Sequence, residues 1–189
     1  KKQGGLEMHN TTDMLTLKII SLYLSEAHGV AGVPVPELRL QPDYGVVGDS
    51  HMKERHLNAK GTVIPNRHFT AVQPTELGRI ASAMGVPFID PAWLKANVCF
   101  ISPDIESLTE TLTPGTRLVD TNGTAVLEIR GMTDPCLTAG QYLAAQFPHL
   151  KVDARLFPKA AYKLRGVHGI TLGEVTLRLY DTLTVCLPS

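Results

Sequence analysis

One short stretch combines a nucleophile with a change of local structure: Arg130-Gly131-Met132-Thr133-Asp134-Pro135-Cys136. An alternating strand pattern runs into this stretch and a helical pattern leaves it. Cysteine reacts as the thiolate, which a helix N-terminus or nearby cations favour. The spacing of Thr138-Ala139-Gly140-Gln141 matches a capping box and predicts a helix over Ala139 to Phe147 with Thr138 as its cap. Cys136 would then lie near the positive end of the helix dipole, where an anion is stabilised.

The local sequence leaves two interpretations of Cys136 open, and it favours them about equally. Cys136 is either a reactive thiol or a small, partly buried residue in a turn, because free cysteines are usually structural. Arg130 and the basic segment 149–168 offer positive charge. That segment has one acidic residue, Asp153, and five basic ones, Lys151, Arg155, Lys159, Lys163 and Arg165. Such a run is usually a solvated face, and it can also serve an anionic ligand.

A second group of polar residues follows Gly45-Val46-Val47-Gly48, where Asp49, His51 and His56 share a predicted loop. With Cys136 they would offer the thiolate, imidazole and carboxylate ligands that zinc prefers. The spacings match no established zinc motif, so a zinc hydrolase ranks last among the functions considered. A Cys-His catalytic pair would need spatial contact, which a sequence does not reveal.

The elements that must position these residues are mostly strands. Alternating patterns predict strands over 17–25, 68–72, 97–101, 116–120, 124–130, 167–172 and 175–185. Asn122-Gly123 predicts a hairpin turn, and Pro74 to Met84 has the ends of a helix. Residues 27–42 contain several prolines and glycines and predict an irregular connection. Few strand pairs are separated by a helix, which favours a mostly antiparallel β-barrel (mostly β, α+β) of about seven to nine strands with three or four peripheral short helices.

Composition narrows the function classes. The 18 basic and 18 acidic residues balance, so no basic excess indicates nucleic-acid binding. No apolar run approaches the ~20 residues of a membrane span. Three widely spaced cysteines give no disulfide framework, and we expect a reducing, cytoplasmic setting. Cys99 is expected to be a packed core thiol. We expect residues 1–14 to be a tail, or a remnant of expression, and residues 15–189 to form a single domain.

Five short motifs resemble those of the MOSC domain, the C-terminal domain of eukaryotic molybdenum-cofactor sulfurases, which also occurs as small bacterial proteins. In order, they are Gly45-Val46-Val47-Gly48-Asp49-Ser50-His51, Asn66-Arg67-His68-Phe69-Thr70-Ala71-Val72, Trp93-Leu94-Lys95-Ala96-Asn97-Val98, Leu112-Thr113-Pro114-Gly115-Thr116 and Asp134-Pro135-Cys136. Each motif is weakly specific alone, but their order and spacing from about residue 15 to residue 183 make the resemblance specific.

The resemblance implies a barrel-like β fold and a role in sulfur transfer or molybdenum-cofactor chemistry. In the family, the cysteine of the Pro-Cys motif carries a persulfide or ligates molybdenum, and that position is Cys136. Asp49 and His51 match the Gly-Asp-x-His loop, Arg67 matches the basic residue near the following strand, and Asn97 matches the polar residue after Trp-Leu. We therefore predict Cys136, His51, Asp49 and Arg67 as catalytic residues. The predicted cofactor-binding residues are Asn97, Arg130, Lys159, Lys163 and Arg165.

The implied partners are a cysteine desulfurase, a molybdoenzyme, or both. The implied small-molecule ligand is the pterin of the molybdenum cofactor, whose phosphate the basic segment 149–168 would bind. Pyridoxal phosphate would reside in the separate desulfurase. Two alternatives stay open: a self-sufficient molybdenum-dependent reductase of N-hydroxylated compounds, and a non-catalytic binding module.

Overall fold

The computed structural model describes residues 14–27, 29–42, 44–50 and 67–188. Eleven strands lie in these ranges: β1 (Thr16–Leu24), β2 (Val33–Pro34), β3 (Glu37–Gln41), β4 (Gly45–Val46), β5 (Phe69–Val72), β6 (Val98–Ile101), β7 (Arg117–Val119), β8 (Ala125–Met132), β9 (Val167–Thr171), β10 (Val175–Arg178) and β11 (Thr182–Cys186). The described helices are α1 (Pro74–Met84), α2 (Leu108–Thr111), α3 (Leu137–Ala145) and α4 (Phe157–Ala160), with 3-10 turns at Pro91–Leu94 and Ala154–Leu156.

Seven strands close into a barrel in the order β1-β6-β5-β9-β8-β7-β11, and β11 pairs back onto β1. Neighbours are antiparallel except β5 and β6. A parallel pair needs a crossover, which α1 and the 3-10 turn at Pro91–Leu94 supply. Strand β2 pairs antiparallel with the end of β1, while β10, β3 and β4 form a separate sheet. The predicted, mostly antiparallel barrel with short peripheral helices is confirmed.

Alternating side chains build two apolar cores, one inside the barrel and one between the barrel and the helices. In β6, Val98 and Phe100 belong to the inner core, whereas Cys99 belongs to the outer one. The outer core also holds Leu143 of α3 and Phe157 of α4. Cys99 is 1% exposed, so its prediction as a packed core thiol is confirmed.

Two local predictions hold for physical reasons visible in the sequence. Helix α1 begins at Pro74 and ends at Gly85, whose φ of 67° is left-handed. The hairpin between β7 and β8 turns at Asn122-Gly123, where Asp120 Oδ1 accepts the amides of Asn122 and Thr124, both at 2.9 Å. This hairpin delivers the chain to Cys136.

Two other segments differ from their predictions. Residues 27–42 are not an irregular connection, because they contain β2 and β3. Pro34 is tolerated there since β2 is the last strand of its sheet, where a missing amide proton need not break the ladder. The run 175–185 is two strands, because Tyr180 turns the chain with a φ of 73° and Asp181 Oδ2 accepts the Arg178 amide at 2.8 Å.

Gly140 sets how closely α3 approaches the segment that precedes α4. A Cβ at Gly140 would overlap the Ala154 carbonyl oxygen and lie 2.7 Å from Phe157 Cβ. Gly78, on the exposed side of α1, has no atom within 4 Å of the same position. The two helical glycines therefore differ in one respect that matters for packing, and they form a matched pair.

We predict that Gly140→Ala lowers the free energy of unfolding by about 1–3 kcal/mol, because overpacking forces the backbone apart. Gly78→Ala should raise it by about 0.5–1 kcal/mol, since an exposed helical glycine loses more chain entropy on folding than alanine does. Urea unfolding of both variants measures the difference. Equal effects at the two positions would contradict the close packing of α3.

Candidate functional site

Cys136 is the N-cap residue of α3, with an extended φ of −132° and ψ of 159°. Its carbonyl accepts the Gly140 amide at 3.3 Å, so the helix already begins at Leu137. The predicted cap at Thr138 and helix start at Ala139 are therefore wrong by two residues. The correction brings Cys136 nearer to the helix end, where amides lack intrahelical partners and an anion is stabilised. The residue is exposed and its thiol is free.

A cavity of about 260 Å³ opens beside Cys136. Four segments of the chain contribute its walls. They are the loop after β1 (Gly29 and Val30), the 3-10 turn and the residue after it (Trp93, Leu94 and Lys95), α3 with its N-cap (Cys136, Thr138, Ala139 and Tyr142), and the segment before β9 (Arg165). Apolar side chains form most of the surface. The described lining contains no carboxylate, so its ionisable groups are cations, the thiol and the Tyr142 phenol.

Arg165 lies at this cavity with its guanidinium in an unusual environment. Its Nη2 donates to the Leu94 carbonyl at 2.8 Å, while Nε and Nη1 are buried without a hydrogen-bond partner among the described residues. Burial lowers the pKa of Arg165 to about 10; the Cys136 thiolate acts in the opposite direction, and Arg67 lowers the pKa further. The group remains a cation at neutral pH. Cys136, Arg165 and Arg67 therefore lie within electrostatic range of one another.

Gly166 explains how Arg165 reaches this position. Its φ is 80°, and a Cβ there would overlap the Ala71 carbonyl oxygen of β5. The Gly166 carbonyl accepts the Thr133 amide at 2.8 Å. Because only glycine fits against β5 in this conformation, the chain passes close to the barrel and ties Arg165 to the segment before Cys136.

Asp49 and Asn97 form a buried network that supports two cavity walls. Asp49 Oδ2 accepts the Ser25 amide at 3.0 Å and Asn97 Nδ2 at 2.9 Å. Asn97 Oδ1 accepts the Thr70 amide at 3.0 Å, and Thr70 Oγ1 donates to the Lys95 carbonyl at 2.9 Å.

Ser25 extends the same network into the loop after β1. Its hydroxyl lies 3.3 Å from the carbonyls of both Ala27 and Val30, either of which can accept its single proton. Val30 and Lys95 line the cavity. The structure thus places Asp49 and Asn97 behind the walls rather than at the thiol.

The other predicted site residues divide into three groups. Arg67 lies in electrostatic range of Arg165. Arg130 pairs with Glu128 at 3.2 Å, and exposed Lys159 and Lys163 belong to the segment around α4; none of the three lines the cavity. His51 and His56 lie outside the described residues, and with them any contact to Cys136. Among the described residues, no group of three or more His, Cys, Asp or Glu side chains could hold a metal ion.

His168 is a site neighbour that sequence reasoning missed. It pairs with Gly131 across β8 and β9, and a Cβ at Gly131 would lie 3.3 Å from His168 Cε1, so the glycine leaves room for the imidazole. Burial lowers the pKa of His168, Arg67 lowers it further, and a backbone hydrogen bond to Met132 and the Asp134 carboxylate oppose the shift. Its proximity to Arg67 in the fold identifies His168 as a neighbour of the site, and no sequence motif could have identified it.

We predict that Arg67→Gln raises the pKa of His168, because a nearby positive charge is removed. Since the folded pKa lies below the unfolded value of about 6.5, the unfolded chain binds more protons between the two values. Stability from this group therefore falls as the pH drops from 6.5 through the folded pKa, and less so in Arg67→Gln. NMR titration of the imidazole measures the shift, with Arg79→Gln on α1 as the control. An unchanged His168 titration in Arg67→Gln would show that the two groups do not interact.

Comparison with known proteins gives one clear sequence relative and several structural ones. No protein-family model matches the sequence. YuaD of Bacillus subtilis (strain 168), provisionally named for metal-sulfur cluster biosynthesis, is 32% identical over 163 residues, which cover 81% of each chain. The crystal structure of a Bacillus subtilis YUAD protein superposes with a TM-score of 0.78 at 28% identity, covering 90% of this chain and 95% of that one.

A more distant neighbour shares the fold alone. YiiM from Geobacillus stearothermophilus gives a TM-score of 0.61 at 13% identity, covering 90% of this chain and 75% of that one. Within the described part of the chain, no helix has both the length and the apolar character needed to cross a membrane.

Proposed function

The chain belongs to the MOSC domain family, together with YuaD, and on this basis we propose that it carries sulfur as a persulfide on Cys136. One observation supports this role above the others: an exposed thiol at the N-terminus of α3 shares a cavity with a guanidinium whose buried Nε and Nη1 find no hydrogen-bond partner in the described part of the chain. A sulfur carrier needs an accessible thiol beside groups that can receive negative charge, and this arrangement offers both.

The transfer is a thiol exchange in which all atoms are accounted for. The Cys136 thiolate attacks the terminal sulfur of a donor persulfide, and a new S–S bond forms at Cys136. The S–S bond of the donor breaks, and its electron pair leaves with the donor thiolate. A cysteine desulfurase is the proposed donor, and pyridoxal phosphate belongs to that partner. We place the reaction in the reducing cytoplasm, where a free thiol persists.

Each of the site residues that the structure describes has a distinct role in the proposed transfer. The Arg165 guanidinium and the α3 amides stabilise negative charge on the Cys136 sulfur and on the persulfide. Arg67 adds positive charge nearby and, after burial, is the second cause that lowers the pKa of His168. Asp49 and Asn97 position the walls through Ser25 and Thr70.

Two groups of the cavity, the Cys136 thiol and the Arg165 guanidinium, have the chemistry to hold part of a molybdenum cofactor. Thiolate sulfur is a soft ligand suited to Cys136 as a metal ligand, and Arg165 would pair with an anionic group of the pterin. When bound, the cofactor would supply two-electron redox chemistry, as the alternative role of a reductase of N-hydroxylated compounds requires. Arg130, Lys159 and Lys163 do not line the cavity, so they could bind only a part of the cofactor that lies outside it.

We predict that incubation with a cysteine desulfurase and cysteine adds one sulfur atom to Cys136, detected by mass spectrometry of the intact protein and its peptides. Cys136→Ala should abolish the adduct. Cys186→Ser is the matched control, because Cys186 is also free and exposed but lies in β11, away from the cavity. It should leave the adduct unchanged.

An equal adduct in Cys136→Ala, or none in the wild type, would contradict the sulfur-carrier role. Buried Cys99 should stay unmodified, because burial raises the pKa of its thiol to about 11. The hydrogen bond with Ser21 lowers this pKa, and the Asp90 carboxylate raises it. Molybdenum in protein from a cofactor-competent host, lost in Cys136→Ala, would favour the ligand role instead.

A further inference from the structure

The cavity beside Cys136 has the properties of a binding site for a small organic anion. Its volume is about 260 Å³. This lies just below the usual range of ligand pockets. The cavity therefore suits a small molecule.

The charged end of the cavity is built for an oxoanion. Arg165 Nε and Nη1 are buried with no hydrogen-bond partner among the described residues, and leaving charged donors unsatisfied in an apolar wall is strongly unfavourable. Arg67 adds a second positive charge within range, and no described lining residue is acidic. An anionic ligand with several acceptor oxygens would satisfy these donors.

The remaining walls favour a ligand with a flat apolar body. Trp93 and Tyr142 present aromatic rings, and Val30, Leu94 and Ala139 add aliphatic surface. Trp93 is itself held by ring contacts with Phe88 and Phe147, whose centroids lie 5.2 Å and 5.6 Å away. A rigid aromatic wall of this kind packs against an aryl or branched alkyl group.

The third feature of the cavity is the thiol at its edge. Cys136 lines the same space as Arg165, so an anion bound by the guanidinium would lie next to a sulfur nucleophile. The chemical class that joins an oxoanion, an apolar body and an electrophilic sulfur is the thiosulfonate, R–SO2–S⁻, where R is an apolar group.

We propose that this cavity binds small organic thiosulfonates and that Cys136 takes their sulfane sulfur. The inference rests on the proposed sulfur-carrier function and names a donor class for it. The Cys136 thiolate attacks the outer sulfur, and an S–S bond forms between them. The S–S bond of the thiosulfonate breaks, and its electron pair leaves with the sulfinate, R–SO2⁻. Charge and atoms balance without a further oxidant or reductant, and Arg165 holds the sulfonyl oxygens throughout.

The test uses benzenethiosulfonate with the full chain and measures the persulfide on Cys136 and the released benzenesulfinate. For the kinetics, cyanide is added as the acceptor, which takes the outer sulfur as thiocyanate and returns the Cys136 thiolate for the next turnover. We expect saturable kinetics, with no reaction in Cys136→Ala and full reaction in Cys186→Ser. Arg165→Met keeps much of the apolar stem but removes the charged donors. It should lower kcat/KM about 10- to 100-fold, the effect of losing a charge-assisted hydrogen bond. Arg178→Met removes an exposed cation that does not line the cavity and should react like the wild type.

Two further measurements use the wild-type protein, so their outcome does not depend on whether a variant folds. Benzenesulfinate should protect Cys136 of the wild type from alkylation by iodoacetamide, and should leave Cys186 unprotected. Inorganic thiosulfate, which lacks an apolar body, should react with a lower kcat/KM than benzenethiosulfonate. Absence of protection, or equal kcat/KM for the two donors, would overturn the proposal.

A parallel reaction with a cysteine desulfurase separates the two claims. Loading from the desulfurase without loading from benzenethiosulfonate would overturn the thiosulfonate site and leave the carrier function intact. Failure of both reactions would overturn both claims. Loading from benzenethiosulfonate with full activity in Arg165→Met would overturn the role of the guanidinium.

Discussion

The Arg165 guanidinium lies against the barrel with one nitrogen bonded to the Leu94 carbonyl and two others buried without a described partner. A cation in such surroundings is unfavourable unless an anion meets it, and the exposed thiol that shares its cavity is Cys136. The proposed function depends on this proximity of Arg165 to Cys136. The proximity gives the thiol a source of positive charge that the helix end alone would supply only weakly.

Much of the surrounding structure keeps this arrangement in place. Gly166 lets the chain run against β5, so that Arg165 points to the same space as α3, and Gly140 lets α3 approach the segment before α4. On the opposite side, the Asp49–Asn97 network holds the loop after β1 and the 3-10 turn that form the other walls. These are tight backbone approaches and buried polar bonds, so small changes in them would move the site.

Local patterns in the sequence predicted the barrel, the β7–β8 hairpin and α1, because alternation, Asn-Gly and terminal Pro and Gly act within a few residues. They did not predict that Cys136 itself caps α3, since Thr138 offers an equally good local pattern. Nor could they separate Arg165, whose Nε and Nη1 are buried, from exposed Lys159 and Lys163, because only the fold decides which cation faces Leu94. The family resemblance drew attention to Asp49, but its place behind the cavity walls follows only from three-dimensional contacts.

The proposed sulfur carrier requires that Arg165 stabilise the negative charge on the Cys136 persulfide. A crystal structure of the protein loaded with sulfur on Cys136 tests it most directly. The account predicts that the terminal sulfur of the persulfide lies within hydrogen-bonding distance of Arg165 Nε or Nη1, with the guanidinium still bonded to the Leu94 carbonyl. A persulfide that points into solvent, or an Arg165 side chain turned away from Cys136, would contradict it.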